Sequence, residues 1–142
     1  MGKIKSRLAL IALACALAAP GAMASEPIEY KLATLNAKSY VAKDHITVAR
    51  FRSLLNQLSA AYVESSQEIA DISVIAQEKM RKDGVEESLL NIMEGMNQLS
   101  TVKVANQKYA EYAAAYITLR NAGQSHSQAL GGIKALLRRL GL

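Results

Sequence analysis

Apolar side chains recur along this chain at steps of three and four residues, the spacing of one face of an α-helix. From Val48 the series runs through Phe51, Leu55, Leu58 and Tyr62, then resumes beyond Ser65 as Ile69, Ile72 and Ala76. Neither Gly nor Pro interrupts residues 44–82. Asp44 suits the start of a helix, and Lys79, Arg81 and Lys82 gather at its end, ahead of an Asp83-Gly84 stop. The pattern predicts one long helix over 44–82. The alternative is a break at Ser65 or Ser66, because Ser65 and Glu68 have the spacing of a capping box. A single helix would run about 58 Å. That is more than a small bundle covers easily, so part of it is expected to project and to pair with another copy of the chain.

Further on, Glu86 and Glu87 fall where the first turn of a second helix is expected, with Leu89, Leu90, Met93, Met96 and Leu99 as its apolar face. A third helix is read from about Val102 to Ala122. Its face carries Tyr109, Tyr112, Tyr116 and Leu119, Arg120 closes it, and Gly123 is a plausible left-handed stop. Ser125, with Gln128 three residues on, opens a final helix to about Leu140, striped by Leu130, Ile133, Leu137 and Leu140. Residues 25–43 hold Pro27 and scattered polar side chains, and are expected to be an extended or mobile lead-in. No stretch alternates like a strand and no internal repeat is present. The fold class is all-α: a small antiparallel helical bundle of four to five helices, forming one domain over 44–142.

Composition changes this picture at the N-terminus. Lys3, Lys5 and Arg7 precede an unbroken apolar run from Leu8 to Ala19, then Pro20-Gly21 and the small residues Ala22 and Ala24. This is the three-part form of a secretory signal peptide over 1–24, cleaved after Ala24. The run of about a dozen residues is shorter than the roughly 20 that span a bilayer. Cys15 offers a rival reading as a lipidated residue, but Ala12 stands where a large aliphatic residue is usual. Cleavage at Ala24 would leave a periplasmic or secreted protein with no cysteine, hence no disulfide and no thiol chemistry. Membrane attachment would follow only from lipidation of Cys15. The formal net charge of +5 also shrinks. Removing the three leader cations from 17 basic residues leaves 14 against 12 acidic, a net of +2, which is not the footprint of a nucleic-acid binder.

The candidate chemistry is sparse. His45 and His126 have no His, Asp or Glu at helical ligand spacing, so no metal site is expected. Glu64, Glu68 and Asp71 share a face but sit among Ser65, Ser66 and Gln67, as a solvated face would. There is no nucleophile elbow, no phosphate loop and no pattern that calls for a cofactor. Met80, Met93 and Met96 read as gap-filling core residues. The basic amphipathic C-terminus suits packing on the bundle better than lying on a membrane. The tyrosines carry the best case for function, since a ring can be buried with its hydroxyl at a rim. Core packing against Ala113, Ala114 and Ala115 is their first reading. A binding surface around Tyr109, Tyr112, Tyr116, Arg120 and His126 is the second. The expectation is a non-enzymatic exported protein that binds another macromolecule, as adaptor, inhibitor, immunity-type or chaperone-like factor. A small-ligand-binding bundle is the alternative, and an enzyme without a recognisable motif the third.

Overall fold

A computed structural model describes residues 25–100 and 105–142. The expected signal peptide, Cys15 and the proposed start of the tyrosine helix at Val102 lie outside the described residues. Among those described there are six α-helices and no strand: α1 Ile28–Ala37, α2 Ile46–Ala61, α3 Ser66–Lys82, α4 Leu89–Leu99, α5 Tyr109–Asn121 and α6 His126–Arg139. The all-α class holds, with one helix more than the upper expectation.

The extra helix is α1. The segment expected to be an extended or mobile lead-in forms a ten-residue helix starting just after Pro27. It buries Tyr30, Leu32 and Ala33 against α2, and Glu29 meets Arg52 at 2.9 Å. Its apolar residues are spread around the helix rather than along one stripe, which hides the periodicity.

The predicted 44–82 helix is two helices. α2 ends at Ala61 and Tyr62 leaves in an extended conformation (φ −110°, ψ 162°). Ser65 then opens α3 with a complete capping box: its hydroxyl accepts from Glu68 N–H, and Glu68 Oε2 accepts from Ser65 N–H at 2.8 Å. The apolar phase survives because Tyr62 and Ile69 are seven residues apart, two helical turns, whether or not the intervening residues are helical. Two helices of about 24 and 26 Å fit within the bundle, so the reason to expect a projecting, pairing segment is gone. His45, not Asp44, caps α2, its Nδ1 accepting from Thr47 N–H at 3.2 Å.

α4 is the centre. It packs on all five other helices, and Leu89, Ile92, Met93, Met96 and Leu99 are all fully buried. Gly95 lets α6 approach closely: a Cβ there would lie 3.1 Å from both His126 Cε1 and Leu130 Cδ2. The α5–α6 turn is as expected, with Gly123 at φ +90° and Ser125 in a capping box with Gln128. No described helix is long and apolar enough to cross a membrane.

Candidate functional site

The tyrosine face of α5 turns inward. Tyr109 and Tyr116 are fully buried and Tyr112 nearly so. Tyr62 stands edge-on to Tyr109 and Tyr112, with centroids at 5.3 and 5.6 Å. Each inner hydroxyl is satisfied. Tyr62 donates to the Met96 carbonyl at 2.7 Å. Ser73 donates to the Ile69 carbonyl, so the 2.7 Å contact between Ser73 and Tyr109 is a bond donated by the tyrosine. Burial raises the pKa of Tyr62, Tyr109 and Tyr116, and also of Tyr112, where the Glu111 charge adds to it. Tyr109 and Tyr116 are core, while Tyr112, nearly buried, lines a surface depression of about 380 Å³ together with Ala115, Ile133 and Leu136.

Arg120 and His126 belong to a polar cluster that sequence reading did not assemble, because its hub is Glu87. The expected first helical turn at Glu86 and Glu87 is in fact the connection before Ser88, which caps α4 by accepting from Asn91 N–H at 3.0 Å. Glu87 therefore turns inward, and its side chain is only 7% exposed. Its Oε1 accepts from Asn91 Nδ2 at 2.8 Å and Ser88 N–H at 3.1 Å. Its Oε2 accepts from Arg120 Nη2 at 3.0 Å and the Tyr116 hydroxyl at 3.2 Å. Arg120, 13% exposed, also donates to the Gln124 carbonyl at 2.7 Å, while its Nε is buried without a partner. His126 Nδ1 lies 2.7 Å from the Tyr116 hydroxyl. When Tyr116 gives its proton to Glu87, His126 must donate from Nδ1. His126, 30% exposed along its side chain, is more open to solvent than Glu87 or Arg120. The cluster ties the α3–α4 connection to the α5–α6 turn. Thirty-three residues separate Glu87 from Arg120, so no local spacing could have signalled the pair.

Glu64, in the connection before α3, and Glu68 and Asp71 within it have separate duties. Glu64 caps α5 across the fold, accepting from Tyr109 and Ala110 N–H at 2.8 and 3.0 Å, where a helix N-terminus favours negative charge. Glu68 belongs to its own cap, and Asp71 accepts from Gln67. No group of three or more His, Cys, Asp or Glu is placed to hold a metal ion among the described residues.

Another open surface feature lies between α1 and α3. Ile28, Leu32 and Leu35 face Ala70, Val74 and Ile75 across a depression of about 480 Å³. Leu35 and Val74 also line a second depression of about 330 Å³ that runs on to Gln77, Glu78 and Arg81. Residue numbers rise together on both walls, so the two helices run side by side in the same direction and frame one groove. Leu35 is 52% and Ile75 50% exposed. The family model described as MoxZ matches residues 20–136. The chain belongs to the MoxZ family. The MoxZ match takes in both walls of the groove and all of Glu87, Tyr116, Arg120 and His126. No curated protein and no solved structure matches the chain.

Proposed function

We propose that this protein is an exported helical factor that acts without catalysis, by binding another macromolecule through the groove between α1 and α3. The observation that carries the reading is the pair Leu35 and Ile75. Large apolar side chains left half-exposed on facing walls of one groove are what an interaction site presents to a partner. The Glu87 carboxylate is fully engaged by Ser88, Asn91, Tyr116 and Arg120, which favours a structural role there over chemistry. The N-terminal pattern of Lys3 to Ala24 supports export, to the periplasm or beyond.

The test is affinity capture from a periplasmic extract with the tagged protein and with a Leu35→Glu/Ile75→Glu variant. Both positions are half-exposed, so the variant should keep its helicity and melting temperature. A stoichiometric partner held by the native protein and lost by the variant is the expected result. A partner retained equally by the variant would sink the groove as the binding surface. An empty capture would favour the second reading, a small amphiphilic ligand, because a depression of about 480 Å³ lies within the usual range for ligand sites. Ligand screening by shift in melting temperature would then decide.

A further inference from the structure

The far end of α6 packs only in part. Ile133 and Leu137 enter the core, but Leu136 and Leu142 are half-exposed and Leu140 is 64% exposed. The spacing of the sequence places Leu140 in the core stripe, and the structure leaves it outside. The helix stops at Arg139, Gly141 takes φ +74°, and the Leu142 N–H donates back to the Leu137 carbonyl at 3.0 Å. That turn brings Leu142 to Leu136 and Leu140, and all three line the depression that Tyr112 also borders.

The charge around this end is of one sign. All twelve acidic residues of the chain lie at or before Glu111. Residues 25–111 carry ten basic and twelve acidic side chains, and residues 112–142 carry four basic and none acidic. Of those four, Arg120 is neutralised by Glu87. Lys134, Arg138 and Arg139 have no carboxylate partner among the described residues, and both arginines are exposed. Glu111, on the rim of the depression, is already held by Lys108 at 3.7 Å. A terminal carboxylate after Leu142 would take one charge from this surplus of three and leave two.

We propose that the C-terminal end of α6 docks on an anionic lipid bilayer, with Leu136, Leu140 and Leu142 entering the headgroup boundary while Lys134, Arg138 and Arg139 meet lipid phosphates. Amphipathic helices that combine leucines with cations hold to membrane surfaces in this way, and long basic side chains reach the headgroups along their methylene stems. A protein partner fits the patch less well. Protein interfaces are anchored chiefly by Trp, Tyr and Arg, with Leu under-represented, and Tyr112 is nearly buried. A second copy, related by a two-fold axis, would set the same three cations against their own images. Docking of this kind needs neither a membrane-crossing helix nor a lipid on Cys15. The patch shares no residue with the groove between α1 and α3, so the two readings stand or fall separately.

Co-sedimentation of the full chain with vesicles tests this, one set made of phosphatidylcholine and the other of phosphatidylcholine mixed with phosphatidylglycerol. The protein should bind the mixed vesicles about tenfold more strongly than the neutral ones, and added salt should shrink the difference. Arg138→Gln/Arg139→Gln should remove most of that preference. Leu136→Ser/Leu140→Ser should weaken binding to the mixed vesicles about tenfold. All four side chains are exposed, so both variants should keep the native melting temperature. Native and variant chains share one N-terminus, so any contribution from residues 1–24 cancels in the comparison. The chain has no tryptophan, which gives Leu140→Trp a clean signal: its emission should move to shorter wavelength with mixed vesicles and stay in place with neutral ones. Equal binding to both vesicles, no binding to either, binding that neither double variant weakens, or an emission that does not move overturns the proposal. So does a dimer in solution that Leu136→Ser/Leu140→Ser splits, or a soluble protein that the native chain captures through these leucines without binding vesicles; each would assign the patch to that occupant instead.

Discussion

Glu87 and Arg120 form the pair whose loss this fold would feel most. Both are largely removed from water, and each is the other's main charge partner. Removing one leaves a buried, uncompensated ion, which costs about 3–5 kcal/mol. Arg120→Ala should therefore lower unfolding free energy by about that much in urea, where a surface arginine would lose little. A finer test lies at Ser73. Ser73→Ala strands the Tyr109 hydroxyl at a cost of about 1–3 kcal/mol, while adding Tyr109→Phe removes the stranded group and should recover part of the loss. Gly95→Ala sets two effects against each other. Helix propensity gains about 1 kcal/mol, but the new methyl meets His126 and Leu130 at 3.1 Å, and such overpacking costs about 1–3 kcal/mol. The second effect wins because two α6 side chains must move together, so a net loss is expected in a denaturant titration.

Ser65 decides where α2 and α3 separate, and its capping box gives a pH dependence of known sign. The Ser65 backbone N–H, then its hydroxyl, hold the Glu68 carboxyl below its ordinary value of 4.5. A carboxylate lowered in the folded state contributes stability above its unfolded pKa, and that contribution fades as pH falls through the lower folded value. The melting temperature should thus drop below about pH 4.5, and Ser65→Ala should both flatten that drop and cost about 0.5–2 kcal/mol at neutral pH. Other ends were equally plain in the sequence: Gly84 and Gly123 take the positive φ their stops require, and Ser125 with Gln128 opens α6. α1 was not legible, because Tyr30 and Ala33 face the core while Leu35 faces the groove, and two apolar faces leave no single stripe. The groove went unread for the same reason. Glu87 was missed because a carboxylate beside a helix start looks like a dipole partner, and only the distant Arg120 shows otherwise. Deleting α1 should remove more than about 3 kcal/mol, since three buried side chains go with it.

The molecule as a whole hangs on α4. Because every other helix packs on it, no subset of helices closes a core alone, and unfolding should be all-or-none. Far-ultraviolet circular dichroism and tyrosine near-ultraviolet signals should trace one coincident transition; separated midpoints would mean that α1 or the α5–α6 pair melts independently. The same arrangement bears on how sequences of this family can diverge. A helix at the edge adjusts to a change by sliding over one neighbour. Leu89 to Leu99 has five neighbours to satisfy at once, so a substitution there calls for answering changes in several places. Among relatives, this eleven-residue stretch should drift most slowly, and the pairs of positions that vary together should radiate from it like spokes.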